Sequence, residues 1–224
     1  MYVLVVDTAT PAVTAALVDL TDSDVTVAAV RTTINPRAHG ELLTPSIDTV
    51  LAEAGAAPRG LTAIVAGVGP GPYTGLRVGL VTATAMGQAL GVPTYGVCSL
   101  DGIGAASTAP GTVVAATDAR RREIYWRGYE SGAPITDPAV DRPDVVAERL
   151  PALGVGLVVG EGAHRYPDVL GVPVADQPLY PDPGTLARIA AERVRTAAPS
   201  EALTPLYLRR PDAVEPGARK PVLR

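Results

Sequence analysis

Three runs with a β-strand pattern open the chain before the first helical pattern begins. A helical run, an apolar run of strand length, a second helical run and a short strand follow in that order. This order predicts one mixed sheet, because hairpins join antiparallel strands whereas crossover helices join parallel ones. The predicted strands are residues 2–7, 13–19, 25–32, 63–68 and 94–97, and the predicted helices are residues 38–54 and 75–90.

The second half repeats this order more weakly, with strands predicted at 113–118, 123–129 and 156–160 and helices at 144–153 and 184–197. Its first strand ends at Asp118, as the first strand of the chain ends at Asp7. Duplicated β-β-β-α-β-α units with mixed sheets are typical of the actin-like (ribonuclease-H-like) α/β fold, with a cleft between the halves. We expect an N-terminal subdomain over residues 1–104, a degenerate C-terminal subdomain over 105–208 and a mobile basic tail over 209–224.

Charge and composition argue against several classes of protein. The formal net charge is −4 and Lys220 is the only lysine, so no overall positive field draws the chain onto nucleic acid. Cys98 is the only cysteine, which excludes an intrachain disulfide and fits a reducing compartment. The longest uncharged stretch, residues 78–100, contains Pro93 and predicts a helix followed by a strand, not a membrane span. We therefore expect a cytoplasmic protein without membrane contact.

Two segments at the ends of predicted strands carry residues suited to binding an anion. In actin-like kinases the turn after the first strand cradles phosphate, but here Ala9 and Ala12 stand where glycines would let the backbone approach it. The alternative is that this turn only satisfies its own hydrogen bonds. The Gly/Pro loop at 69–75 either presents backbone amides to an anion or stiffly presents its side chains to a partner. The candidates for a vestigial nucleotide or anion site are Asp7, Thr8, Thr10, Gly69, Gly71, Tyr73, Thr74, Arg77 and Asp118.

Small residues recur every four positions along the second predicted helix, at Gly75, Gly79, Ala83 and Gly87. Glycine inside a helix costs about 1 kcal/mol relative to alanine, so this ridge indicates a close approach of another backbone. That backbone belongs either to the chain's own sheet or to a helix of another chain.

Catalytic and metal-binding patterns are not found. His39 and Glu41 lie near each other, but the other histidine, His164, is distant in sequence, and the chain has no Gly-x-Ser-x-Gly motif. We expect no catalytic residue and no metal site. Arg120-Arg121-Arg122 form a short basic cluster after Asp118 that either touches phosphate or is simply solvated. Because no aromatic residues interleave this cluster, the sequence does not predict autonomous RNA binding.

Six segments together resemble the TsaB (YeaZ) family: VVDTAT at 5–10, AHGELLTP at 38–45, GPGPYTGLRVG at 69–79, GVCSL at 96–100, DARR at 118–121 and PLYLR at 205–209. Family members commonly carry Ser-Phe where this chain has Pro72-Tyr73, and the change keeps an aromatic residue. The resemblance reaches most of the chain and is most specific over residues 1–123.

The resemblance implies an actin-like fold and a role in making N6-threonylcarbamoyladenosine at position 37 of ANN-decoding tRNAs. In that family TsaB is a non-catalytic scaffold that binds and activates its paralogue TsaD, and the ATPase TsaE joins them. It also implies a homodimer when the chain is alone, contact with tRNA only through the complex, and no tightly bound cofactor, with ATP or ADP held at the interface with the partner. Family members pair through two N-terminal helices, which here implies an interface of His39, Glu41, Leu43, Ile47, Gly75, Gly79, Ala83, Met86 and Gly87.

Two other functions stay open at this point. One is a stand-alone actin-like ATP-binding enzyme, against which the missing phosphate-loop glycines argue. The other is a peptidase, which older names for the wider family suggest but which no nucleophile–base pair in the sequence supports.

Overall fold

The structure, a computed structural model, describes residues 1–209. The predicted tail at 209–224 therefore lies outside the described residues, apart from Arg209. The strands are β1 (Tyr2–Asp7), β2 (Ala12–Leu20), β3 (Val25–Ile34), β4 (Leu61–Gly67), β5 (Thr94–Val97), β6 (Thr112–Arg120), β7 (Glu123–Glu130), β8 (Ala133–Pro134), β9 (Ala139–Asp141) and β10 (Val155–Val159). The helices are α1 (His39–Glu53), α2 (Tyr73–Leu90), α3 (Asp101–Gly104), α4 (Pro143–Arg149), α5 (Pro167–Leu170) and α6 (Pro183–Arg195).

The first sheet has the strand order β3-β2-β1-β4-β5. β1, β2 and β3 form an antiparallel meander, and β4 and β5 continue the sheet parallel to β1. β1 is central and is apolar on both faces: Val3 and Val5 belong to one core cluster, Leu4 and Val6 to the other. This is the sheet that the element order predicts.

The second sheet repeats the arrangement in shortened form, with the order β10-β6-β7-β8 and β9 also paired to β7. β6 and β7 form an antiparallel hairpin, and β10 runs parallel to β6. The prediction of an actin-like α/β fold with two mixed sheets is confirmed. The short elements β8, β9, α3 and α5 were not predicted, because a segment of two to four residues is too short to show a helical or strand periodicity.

Helices α1 and α2 cover one face of the first sheet, and their packing explains the small-residue ridge. A Cβ at Gly79 would lie 2.6 Å from the hydroxyl oxygen of Thr8, and one at Gly87 would lie 2.6 Å from a methyl group of Thr94. Gly75 approaches the carbonyl of Thr8 in the same way. The ridge therefore faces the chain's own sheet, the first of the two alternatives above, and α2 lies closer to the sheet than any side chain would allow.

Helix α6 covers the opposite face of the first sheet although it comes from the second half of the chain. Its Leu186, Ala190 and Val194 pack in one cluster with Val3 and Val5 of β1. The structure thus places part of the predicted C-terminal subdomain against the N-terminal sheet. No helix within residues 1–209 has the length and apolar character needed to cross a bilayer.

Candidate functional site

Asp7 ends β1 at the edge of the sheet where the parallel strands β4 and β5 also end. Its side chain is buried, and each carboxylate oxygen has a partner within the chain. The Ser99 hydroxyl donates to Oδ2 at 2.6 Å, and the amide of Ala9 donates to Oδ1 at 3.0 Å. Ser99 in turn accepts a hydrogen bond from the amide of Gly69 at 3.1 Å, so Asp7 ties three loops together.

Burial dominates the electrostatics of this carboxyl group. It raises the pKa of Asp7 to about 6, against the lowering effects of the Ser99 hydroxyl, the Ala9 amide and the charge of His39. Any side chain at Gly67 would overlap the carboxylate, which shows how tightly β4 covers it. Asp7 is therefore enclosed by the chain itself.

Thr8 and Thr10 join the β1–β2 turn to the two helices. The Thr8 hydroxyl donates to the carbonyl of Gly75 at 2.8 Å and accepts from the amide of Gly79 at 2.9 Å. It thus stands between a carbonyl and the amide four residues later, the two groups that a regular helix would bond directly. His39 Nε2 lies 2.8 Å from the carbonyl oxygen of Thr10 at the start of α1. These contacts are those of a turn that docks two helices.

The Gly/Pro loop divides into a buried part and an exposed part. Gly69 and Gly71 are buried, and a Cβ at Gly71 would overlap the backbone of Ala9. Tyr73 and Thr74, at the start of α2, are exposed. Gly69 and Gly71 therefore serve the packing of the loop, and only Tyr73 and Thr74 face solvent.

A cleft of about 440 Å³ separates the two halves and brings several predicted residues together. Thr8, Thr10, Thr74 and Gly75 line one side, and Asp118 lines the other. The carboxylate of Asp118 accepts from the amide of Arg120 at 2.9 Å, and its other oxygen lies 3.5 Å from the Arg165 guanidinium. Asp7, Gly69, Gly71 and Arg77 do not line this cleft, so the structure brings together only part of the predicted anion site.

Sequence reasoning missed three residues that shape this region: Ser99, Tyr207 and Arg209. Ser99 was detectable, because it follows β5, whose carboxyl end meets that of β4 and lies near Asp7. Tyr207 and Arg209 belong to the PLYLR segment, but their contacts were not predictable because Arg77 lies 130 residues from Tyr207 and Ala119 lies 90 residues from Arg209.

Known proteins resemble this chain both in sequence and in fold. A family model described as TsaD, tRNA N6-adenosine threonylcarbamoyltransferase, matches residues 27–162. An uncharacterized protein of Mycobacterium leprae is 44% identical over 211 residues, covering 94% of this chain and 55% of its own length. The chain thus spans about half of that relative.

The tRNA threonylcarbamoyladenosine biosynthesis protein TsaB of Escherichia coli is 33% identical over 178 residues, which are 75% of this chain and 75% of that protein. The chain belongs to the TsaB family. The solved structure of YeaZ from Pseudomonas aeruginosa agrees, with a TM-score of 0.76 and 28% identity over 92% of this chain and 99% of that one.

The nine residues of the interface implied by the TsaB resemblance differ in exposure. Six of them are buried within this chain: Leu43, Ile47, Gly75, Gly79, Ala83 and Gly87. Side chains at the three glycines would collide with Thr8 or Thr94, so the small residues serve the packing of α2 on the sheet, and the interface itself stays a prediction. Glu41 is exposed, and His39 and Met86 are half-buried.

The outer face of α2 is exposed in this member of the TsaB family. Val81 is 65% exposed there, with Thr84, Ala85 and Gln88 beside it. From Val78 to the end of the helix no residue is charged. Across residues 1–209, no three His, Cys, Asp or Glu side chains lie close enough together to hold a metal ion.

Proposed function

We propose that this chain is the non-catalytic scaffold of a tRNA threonylcarbamoylation complex, in which it binds and activates a TsaD-type subunit joined by TsaE. Membership in the family of the E. coli protein named for tRNA threonylcarbamoyladenosine biosynthesis supports the reaction. The observation that carries the scaffold role is the enclosure of Asp7, whose two oxygens are bound by Ser99 and Ala9. An actin-like enzyme needs that carboxylate and its turn free to face phosphate and metal.

The partner surface in this proposal is the outer face of α2. An uncharged helical face with an exposed Val81 suits docking of an apolar helix, because burying it removes apolar area from water without stranding a charge. The same face would pair two copies when the chain is alone. The proposal keeps α2, one of the two helices that the resemblance implies, and assigns the contact to its exposed residues.

Nucleotide has no tight site on the isolated chain in this proposal, and ATP or ADP would be held only between the two subunits. The Thr8 hydroxyl is bonded to α2, Gly71 is covered by the backbone of Ala9, and the Gly69 amide donates to Ser99, so none of them offers a donor to a phosphate. Titration of the isolated chain with ATP and Mg²⁺ separates this from the stand-alone enzyme. Saturation at micromolar ATP without a partner would favour the enzyme.

Reconstitution of tRNA modification from purified subunits tests the scaffold role. We expect omission of this chain to abolish modification, and Val81→Glu to weaken association with the TsaD-type subunit at least tenfold, because a buried charge faces an apolar partner. Thr62→Glu, at an exposed position near the start of β4 and outside the outer face of α2, is the control and should leave association intact. Undiminished modification without the chain would refute the role.

A further inference from the structure

A recess of about 660 Å³ lies between the first turn of α2, the β6–β7 turn and the end of the described chain. We call it the arginine–tyrosine recess. The residues that give it its chemistry are Tyr73, Arg77, Arg120, Arg121, Tyr207 and Arg209. None of the described residues that line it is acidic; Glu123, nearby, is bonded to Arg209. Local charge here is therefore positive on a chain whose net charge is −4.

The aromatic residues form a platform on one wall of the recess. The rings of Tyr73 and Tyr207 stack with centroids 5.2 Å apart and planes 24° apart. The Arg77 guanidinium lies 3.9 Å from the centre of the Tyr73 ring and donates through Nε to the Tyr207 hydroxyl at 2.9 Å. The contacts hold both rings in place, while Tyr73 stays 53% exposed and Tyr207 39% exposed.

The opposite wall is a turn whose backbone does not favour arginine. Arg121 and Arg122 form a two-residue β-hairpin loop with φ of 55° and 63°, and Arg120 before them has φ of 60°. Hairpin loops with positive φ at both central positions favour Asn-Gly or Gly-Gly. Turn geometry therefore does not account for arginine at these positions, and their positive charge suits a negatively charged ligand in the recess.

We propose that the arginine–tyrosine recess binds single-stranded RNA, with phosphates on the arginines and a base stacked on the Tyr73–Tyr207 pair. Basic grooves interleaved with aromatic rings bind unpaired nucleotides in this way. The tertiary structure supplies the interleaving that the sequence lacks, since Tyr207 reaches the recess from far along the chain.

The exposure of the platform favours an RNA strand over a free nucleotide. Small-molecule sites bury 70–90% or more of their ligand, whereas here both rings open to solvent. An RNA strand that crosses the surface can stack a base on such rings without being enclosed by the protein. That the strand is tRNA rests on the proposed function; the binding itself does not.

Fluorescence anisotropy of the full-length chain with a labelled ANN-decoding tRNA transcript, at a series of salt concentrations, tests the proposal. For Arg120→Gln/Arg121→Gln we expect the slope of log K against log[salt] to fall by about 1.4–1.8, since each phosphate contact contributes about 0.7–0.9. For Tyr207→Leu we expect roughly tenfold weaker binding with the slope unchanged, because stacking is lost and charge is kept. Arg31→Gln/Arg59→Gln removes the same charge outside the recess and should bind like the wild type.

Arg120→Gly/Arg121→Gly guards against misfolding as an explanation, because glycine accepts positive φ without strain. We expect it to keep a cooperative thermal unfolding transition, with RNA binding weakened as in the glutamine variant. Wild-type affinity and salt slope in either arginine variant would overturn the proposal. So would ATP alone binding at the recess more tightly than the transcript. Association with the TsaD-type subunit is measured on the same variants and should not change. The RNA-binding proposal and the scaffold proposal are therefore tested independently of each other.

Discussion

The β1–β2 turn and the β6–β7 turn occupy equivalent places in the two halves, yet they enclose their aspartates to different degrees. Asp7 is fully buried, and neighbouring loops satisfy both of its oxygens. Asp118 also has a partner at each carboxylate oxygen, but it lines the cleft beside the exposed arginines of its turn. The difference comes from what packs on each turn, because α1 and α2 contact the first turn while no long helix within residues 1–209 covers the second. Burial by neighbours, more than residue type, decides which turn can meet a ligand.

The largest effect that tests this comparison is expected at the contact between α2 and the first turn. Gly79→Leu should lower the free energy of unfolding by at least about 3 kcal/mol, because its Cβ alone would lie 2.6 Å from the Thr8 oxygen. Urea denaturation measures it, with Val81→Leu on the exposed face as the near-neutral control. A Gly79→Leu chain of wild-type stability would show that α2 does not rest on the turn.

Removing the charge of Asp7 should change how stability depends on pH. In the unfolded chain this carboxyl has its ordinary pKa of 3.8, and in the fold burial raises the pKa to about 6. The folded state therefore holds the proton more tightly. The stability that this group provides is fully present below pH 3.8 and is lost as the pH rises through 6, by about 3 kcal/mol in all.

Asp7→Asn cannot ionise, so its unfolding free energy should gain about 2.4 kcal/mol relative to wild type between pH 4 and pH 7. Chemical denaturation of both proteins at each pH measures the difference, in which all other titrating groups cancel. A difference that stays constant across this range would mean that Asp7 is not enclosed.

A moderate effect is expected from the hydroxyl that bridges α2. Thr8→Val keeps the shape of the side chain but leaves the Gly75 carbonyl and the Gly79 amide without their partner. We expect a loss of about 1–3 kcal/mol, the cost of unsatisfied buried polar groups. Thr84→Val on the exposed side of α2, whose hydroxyl bonds only to the carbonyl of Leu80, is the matched control. Equal stability of the two variants would mean that the Thr8 hydroxyl does not stabilise the contact between α2 and the first turn.

The smallest effect is expected at the second turn. Arg165→Gln removes ion pairs with Asp118 at 3.5 Å and with Glu161 at 3.4 Å. The Arg165 side chain is half-exposed and glutamine can still donate a hydrogen bond to either carboxylate, so the change should cost about 1 kcal/mol. Thermal unfolding at low and high salt measures it, because screening should erase the small difference. A loss as large as that of Thr8→Val would mean that this turn is as firmly held as the first.

The sequence predicts most of the secondary-structure elements but few of the contacts between them. The order of strands and helices, and the aspartates ending β1 and near the end of β6, are local patterns and were predicted. The direction of the glycine ridge was not, because spacing shows that a helix face is small but not which surface it meets. Ser99 is a similar case, since its partner Asp7 is 92 residues away along the chain.

The place of α6 has a consequence for how the protein is made. A ribosome releases the chain from its N-terminus, and the face of the first sheet that carries Val3 and Val5 stays bare until residues 183–195 emerge. The nascent N-terminal half therefore leaves the ribosome with an uncovered apolar face, a natural binding site for a chaperone. Translation that stops near residue 104 would yield a fragment prone to aggregate, since one of its two core layers would have no cover.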